Sequence, residues 1–187
     1  IIFTNNDSAY ETAIEFKKNG VDPIVLDSRK ELSSDLIKEA KSLGINIKFE
    51  YVVVNANGYR KVKSADIAKI SDDKTTLGKI ENIVCDCICV SGFWTPTIHL
   101  ASQSGGKTKF NEEIDAFIPS KSKQNETTVG SANGIFNLQD SLNTSFETGY
   151  NLSKKITKED NKLSVPTVVE KKSSKHDKFW CVPLPKG

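Results

Sequence analysis

The stretch Phe3-Thr4-Asn5-Asn6-Asp7-Ser8-Ala9-Tyr10, with Asp27 lying 23 residues beyond Thr4, holds the residues whose types and spacing bear most directly on chemistry. An apolar strand that turns tightly into a helix is suited to an anionic ligand. The first backbone N–H groups of a helix have no intrahelical partner and point at whatever sits there. In dinucleotide-binding turns the pattern is G-x-G-x-x-G/A, and here its three positions are Thr4, Asn6 and Ala9, of which only the last matches. Alanine serves the close helix-strand packing of that position. Asparagine is the non-glycine residue that most readily takes positive φ, so Asn6 keeps the turn buildable. Asp7 opposes the reading, since a carboxylate repels a pyrophosphate unless it turns away as a helix cap. Asp27 supports it: an acidic residue at the end of a second strand accepts hydrogen bonds from an adenine ribose and selects NAD over NADP. The plainer alternatives are a strand-ending cap for Asp27 and, for Arg29, either cover for an adenine ring or simple solvation.

A second glycine-bearing turn, "VGSANG", places Gly130, Asn133 and Gly134 between a strand-like stretch and a helix, which suits a nucleotide phosphate or a plain tight turn. "SQSGGK" lacks the G-x-x-x-x-G-K-[ST] spacing of a phosphate loop. His99 has no Ser, Cys or carboxylate at catalytic spacing and is expected as a packed or capping residue. Cys85, Cys87 and Cys89 alternate, so in one continuous strand they share a face, without the freedom of a loop-borne CxxC to wrap a metal. Buried, reduced thiols and no metal site are the expectation.

The elements that must position these groups follow from periodicity. Residues 1–4 predict a strand, "DSAYETAIEFKKNG" a helix capped by Asn6 or Asp7 and stopped at Gly20, and "PIVLDSR" a parallel strand buried on both faces with Asp27 at its end. "SSDLIKEAKSLG" repeats the helix pattern, with Ser33 or Ser34 as cap and Gly44 as stop, and "INIKFE" supplies a third strand. This strand-helix alternation predicts a doubly wound parallel sheet with right-handed crossovers. Asn57-Gly58 predicts a hairpin turn, and "IENIVCDCICVSG" a single buried strand ending at Gly92. Beyond it are expected a short helix begun at Pro96, a strand or extended link over "FNEEIDAFIP", a strand in "NETTVGSANG" and a helix over "FNLQDSLNTSFETGYNLSKKI".

Composition narrows the function classes. The 187 residues include 37% hydrophobic ones, enough for a real core. With 26 basic against 24 acidic residues, and only Arg29 and Arg60 as arginines, no basic excess speaks for nucleic acid. No apolar run reaches the ~18 residues of a membrane span, and the start is not that of a signal peptide. Four Asn-x-Ser/Thr matches are what so Asn- and Ser-rich a chain produces by chance. The expectation is a cytoplasmic chain. The absence of any methionine, with the first residue already inside a strand, predicts a piece of a longer protein.

Four phrases, "FTNNDSAY", "LDSR", "CDCICVSGFWTPTIHLASQSGGK" and "VGSANGIFNL", resemble in order and spacing the central part of the α subunits of heterotetrameric sarcosine oxidases. The family's third phrase reads close to "CDLLAVSGGWNPTVHLFSQSGGK", from which Phe93 and Thr95 depart. The resemblance covers residues 1 to about 155.

It implies an α/β, Rossmann-like parallel-sheet domain of the two-dinucleotide-binding-domain oxidoreductase type, with part of the second domain. Residues 1–90 would be the inserted NAD-binding-like domain, 91–155 the returning segment of the outer FAD/NAD-type domain, and 156–187 a linker toward a C-terminal folate-binding domain, with Trp180 and Pro183 in contact with that next domain. The residues placed at a dinucleotide are Thr4, Asn5, Asn6, Asp27, Arg29, Gly92, Gly130, Asn133 and Gly134. The family assigns NAD to this subunit, FMN to its interface with the β subunit, and FAD with sarcosine oxidation to β. With γ and δ subunits the complex converts sarcosine and oxygen to glycine and hydrogen peroxide, passing the methyl carbon to tetrahydrofolate as methylenetetrahydrofolate, and the resemblance places no catalytic residue in this stretch. The alternatives are a subunit of a related amine, opine, proline or N-methylglutamate dehydrogenase, and a vestigial Rossmann scaffold that binds no nucleotide.

Overall fold

The computed structural model describes residues 1–157, 164–169, 176–179 and 181–185. Two compact units make up the chain, one of Ile1–Phe93 with Ser173–Gly187 and one of Trp94–Lys172. The end of the chain, expected as a departing linker, returns in part to the first unit. Much of that linker, Trp180 included, lies outside the described residues.

The first unit opens with β1 (Ile2–Thr4), α1 (Ser8–Lys18), β2 (Ile24–Asp27), α2 (Asp35–Ser42) and β3 (Asn46–Phe49), the expected alternation. Three antiparallel strands follow, β4 (Tyr51–Asn57), β5 (Ser64–Ile70) and β6 (Leu77–Val84), and then β7 (Cys89–Ser91). The parallel sheet has the order β3-β2-β1-β7, and β4-β5-β6 form a separate meander. Thr4 at the end of β1 sits between Asp27 of β2 and Ser91 of β7 in register.

The two central strands, β1 and β2, are covered on both faces, which is why Ile2, Phe3, Ile24, Val25 and Leu26 are apolar. Ile2 and Val25 pack with Tyr10, Ala13, Ile14 and Ile37 on the helix side, whereas Leu26 and Phe3 pack with Ala65 and Ile67 on the other. Successive residues of a strand thus enter different cores, as a period of two requires. The second covering layer is therefore a meander, where a doubly wound sheet would carry helices. Ala9 and Ala13, both fully covered, let α1 approach the sheet closely. Ser34 caps α2 by accepting from the Ile37 N–H at 3.3 Å. Gly20 and Gly44, at φ +81° and +73°, supply the left-handed residues that end the two helices.

Glu50 joins β3 to the meander at φ 60°, where its N–H bonds the Arg29 carbonyl at 3.0 Å and its carbonyl accepts from Ile70 at 2.7 Å. A strained residue thus reverses the chain beside the end of β2. Asn57-Gly58 turns β4 into β5 as expected.

The run "IENIVCDCICVSG" is not one buried strand. β6 ends at Val84, a bend falls at Asp86, and β7 starts at Cys89. The bend breaks the alternation: Cys85 packs on the meander side and Cys89 on the helix side. Cys87 is exposed rather than buried, with its sulfur 3.8 Å from that of Cys89, and all four thiols are free.

The second unit contains α3 (His99–Gln103), the hairpin of β8 (Lys107–Asn111) and β9 (Ala116–Lys121), a 3-10 turn over Gly130–Asn133 and α4 (Leu138–Thr157). Three expectations change. The first helix begins three residues after Pro96, the stretch expected as a strand or extended link holds the end of β8, a turn and the start of β9, and residues 125–129, expected as a strand, form none and lead into the 3-10 turn. Phe110 and Phe117 meet edge to face at 5.3 Å across the hairpin. Among the described residues Pro96, Ala116 and Ile118 are this unit's buried apolar side chains, and no residue of α4 is buried.

Candidate functional site

Parallel α/β sheets bind ligands beyond the carboxyl ends of their strands, at the point where the strand order reverses. Here β1 leads through β2 to β3 on one side, and the chain later returns to place β7 on the other. The reversal point is therefore between β1 and β7. A cavity of about 140 Å³ opens there, walled by Thr4, Asn5, Ser91, Gly92 and Phe179. A second, of about 320 Å³, opens beyond β2 and is walled by Ser28, Arg29, Lys30 and Lys74 among others.

The β1-α1 turn is held by side chains rather than by glycine freedom. Asn6 donates its backbone N–H to Thr4 Oγ1 at 3.1 Å, and the same hydroxyl donates to the Asn6 carbonyl at 3.0 Å. The Asn6 backbone does not enter the positive-φ region expected of it. Its side chain does the holding: Nδ2 donates to the carbonyls of Gly92 at 2.8 Å and Ser91 at 3.2 Å, while Oδ1 accepts from the Ser8 N–H at 3.0 Å. The turn is thereby tied to the facing strand end. Over Gly92 the space is open, since a Cβ there would meet nothing within 4 Å.

Behind the turn lies a buried charged cluster. Asp27 is fully covered, and Arg29 grips it through Nε to Oδ1 at 2.9 Å and Nη2 to Oδ2 at 2.7 Å. The same Nη2 reaches Asp7 Oδ1 at 2.8 Å, and the Tyr10 hydroxyl donates to Asp27 Oδ2 at 2.8 Å. Burial alone lowers the Arg29 pKa, but the hydrogen bonds and charges of Asp27 and Asp7 outweigh it and hold the guanidinium charged. Burial first, and then the Asp27 charge, push the Tyr10 phenol above its ordinary range, so it remains a donor.

These partners answer two questions left open by the sequence. Asp7 occupies the N-cap position of α1 without a side-chain cap bond, and its carboxylate faces Arg29. Arg29 offsets part of the repulsion of an anion, its single charge being shared between Asp7 and Asp27. Arg29 is neither solvated nor laid open over the cavity, being 5% exposed. Asp27, expected at a ribose, has its two oxygens engaged within the protein. Beside it Ser28, 2% exposed, has no hydrogen-bond partner for its hydroxyl among the described residues and lies on the wall of the larger cavity.

The fold brings Thr4, Asn5, Asn6, Asp27, Arg29 and Gly92 to one edge of the first unit. Gly130, Asn133 and Gly134 form a separate turn in the second. Gly130 and Gly134 take φ +64° and +80°, and a Cβ on Gly134 would fall 2.6 Å from Ile114 Cδ1 and 3.0 Å from Ile118 Cγ2. Packing within the second unit accounts for that glycine. His99 is exposed at the start of α3, not packed. Among the described residues no group of three or more His, Cys, Asp and Glu is placed to hold a metal, and no helix is long and apolar enough to cross a membrane.

Sequence reasoning missed Tyr10, Ser28 and Ser91. A signal existed for Tyr10 alone: a tyrosine on a helix's buried stripe needs a partner for its hydroxyl.

No family model matches the chain. It is 29% identical over 151 residues to the sarcosine oxidase α subunit of Corynebacterium sp. strain P-1, covering 80% of this chain and 15% of that protein. To the sarcosine oxidase α subunit of Rhizobium meliloti strain 1021 it is 31% identical over 133 residues, covering 70% and 12%. The resemblance seen in the four phrases is thus borne out over most of this chain, which spans about one seventh of those relatives. The fold matches bacillithiol disulfide reductase from Staphylococcus aureus, with TM-score 0.51 and 17% identity over 72% of this chain and 46% of that one. It also matches thioredoxin reductase from T. acidophilum, with TM-score 0.50 and 15% identity over 71% and 47%. The chain has the expected α/β, Rossmann-like fold.

Proposed function

We propose that this chain is the dinucleotide-binding part of the α subunit of a multisubunit amine oxidoreductase of the sarcosine oxidase kind. The observation that carries the reading is the crevice at the reversal point, a cavity of about 140 Å³ beside Thr4, Asn5, Ser91 and Gly92. Thr4, Asn5 and the N-terminus of α1 hold the pyrophosphate, and Gly92 admits it for want of a side chain. Arg29 offsets part of the Asp7 charge behind it. Asp27 fixes Arg29 and defines the adenosine end, on whose wall Ser28 lies. NAD is the dinucleotide proposed, and when bound it supplies a nicotinamide that accepts or donates a hydride. The Gly130, Asn133 and Gly134 turn belongs in this reading to the outer FAD/NAD-type domain.

The whole protein would then act with β, γ and δ subunits in the cytoplasm, with FMN and FAD in the complex. Sarcosine would be oxidised to glycine with release of hydrogen peroxide, and tetrahydrofolate would take up the methyl carbon. No residue of this chain is given a catalytic role.

A second reading, a vestigial domain that binds no nucleotide, is favoured by one observation, the internal engagement of both Asp27 oxygens. Gly92→Val separates the two. The site is open and the glycine has no positive φ, so the variant folds as before while its side chain fills the crevice. At least a tenfold loss of NAD affinity by calorimetry, with an unchanged unfolding midpoint, is expected. Equal affinity in both forms would remove the crevice as the site.

A further inference from the structure

The residues His176–Phe179 lie along the same strand ends that the dinucleotide would use. The Asp177 N–H donates to the Asn5 carbonyl at 2.9 Å, and Asn5 Nδ2 donates back to the Asp177 carbonyl at 3.1 Å. This reciprocal pair fixes the segment on the turn proposed for the pyrophosphate. On one side the Asp177 carboxylate pairs with Lys74, and on the other His176 stacks on Phe93, ring centres 3.4 Å apart and 18° from parallel. Phe179 forms a wall of the smaller cavity, and His176 and Asp177 form a wall of the larger.

Size shows the consequence. Pockets for drug-sized ligands run from about 300 to 1,000 Å³, and a dinucleotide, two nucleosides joined by a pyrophosphate, needs room at the upper end. The cavities hold about 140 and 320 Å³, and the segment that walls each of them lies across the turn. A dinucleotide cannot pass Asn5 while Asp177 is bonded to it. Two of the contacts that hold the segment are of the kind an anionic ligand would replace: the Asp177 carboxylate on Lys74 and the Asp177 carbonyl that accepts from Asn5 Nδ2.

We propose that His176–Phe179 is an internal competitor of the dinucleotide, a strap that occupies the crevice when it is empty and lifts from Asn5 and Lys74 when the ligand enters. The strap therefore couples cofactor occupancy to the position of residues 176–179. Competition lowers the apparent affinity by the fraction of molecules in which the crevice is open, so loosening the strap tightens binding. This inference rests on the dinucleotide reading above.

The test uses the full chain, NAD as probe, and the variants Asp177→Asn and Phe179→Ala, each checked by circular dichroism for an unchanged fold. Titration calorimetry is expected to show NAD binding about fivefold or more tighter in each variant than in the wild type. Hydrogen exchange on the wild type should show the Asp177 amide losing protection as NAD is added. NAD binding that is equal or weaker in the variants, with Asp177 still protected, would overturn the strap and leave the dinucleotide reading standing. Absence of binding in every form would overturn that reading, and with it the competitor.

Discussion

The side-chain amide of Asn6 donates to the Gly92 carbonyl at 2.8 Å across the reversal point of the parallel sheet. One side chain thereby sets the width of the crevice, because it ties the turn after β1 to the strand end after β7. Asn6→Ala removes that bond, the companion bond to Ser91 and the acceptor for the Ser8 N–H. A stability loss of about 1–3 kcal/mol in urea denaturation is expected, together with weaker NAD binding. A variant as stable as the wild type would show that the tie is dispensable.

The Asp7, Asp27 and Arg29 cluster is buried and has two carboxylates sharing one guanidinium, so its members are unequal in what their removal does. Asp27→Ala leaves a buried guanidinium with Asp7 alone, and a loss of about 3–5 kcal/mol is expected. Tyr10→Phe removes a neutral donor to a charged acceptor and should cost about 1.5–3 kcal/mol. Chemical denaturation of the two variants measures the ordering; similar losses for both would mean that the hydroxyl, not the ion pair, anchors the site.

Tyr10 also carries a pH signature. Burial and the Asp27 charge raise its folded-state pKa above the unfolded value near 10, so its stabilising contribution is complete below that pH. As pH rises toward the folded value, ionisation favours the unfolded chain and the contribution is lost. Absorbance titration near 295 nm should show, among the four tyrosines, a late component that appears together with unfolding and is missing from Tyr10→Phe. A late component retained in that variant would assign it elsewhere.

Gly58 in the hairpin takes φ +152°, and a Cβ there would stand 2.0 Å from the Lys61 carbonyl oxygen. Backbone, unlike a side-chain tip, cannot step aside. Gly58→Ala should lower stability by at least about 2 kcal/mol, with the loss traced by amide exchange to β4 and β5. Unchanged exchange in those strands would show that the turn can rearrange freely.

Cys87 is exposed, whereas burial first, and then its neighbour Cys87, push the Cys89 thiol up. Alkylation at neutral pH followed by peptide mass mapping should label Cys87 well before Cys89. Equal rates would mean that the end of β7 opens readily.

The order β1-α1-β2-α2-β3 and the hairpin at Asn57-Gly58 were legible because their signals are local. Alanine and isoleucine at helical spacing, Ser34 as a cap, glycines at helix ends and a continuous apolar run such as Ile24–Leu26 each reflect an interaction within a few residues of chain. The four phrases likewise pointed to the right relatives, since similarity needs no coordinates. The cysteine run misled for the opposite reason. Its alternation fits one strand, and only the need to carry the chain from the meander's last strand to the far side of β1 introduces the bend at Asp86.

The sequence by itself determined the fold class, the strand ends at which Thr4 and Asp27 must lie, and the family resemblance. What the tertiary structure decided was where the charges point. Arg29 turns inward because Asp7 and Asp27, from two different elements, meet behind the turn, and two buried carboxylates require a cation between them. Asn6 acts through its side chain because β7 arrives opposite it, and residues 176–179 return to the turn because Asn5 and Lys74 offer them partners. Each is a meeting of residues distant in the chain, and such contacts leave no periodicity in the sequence.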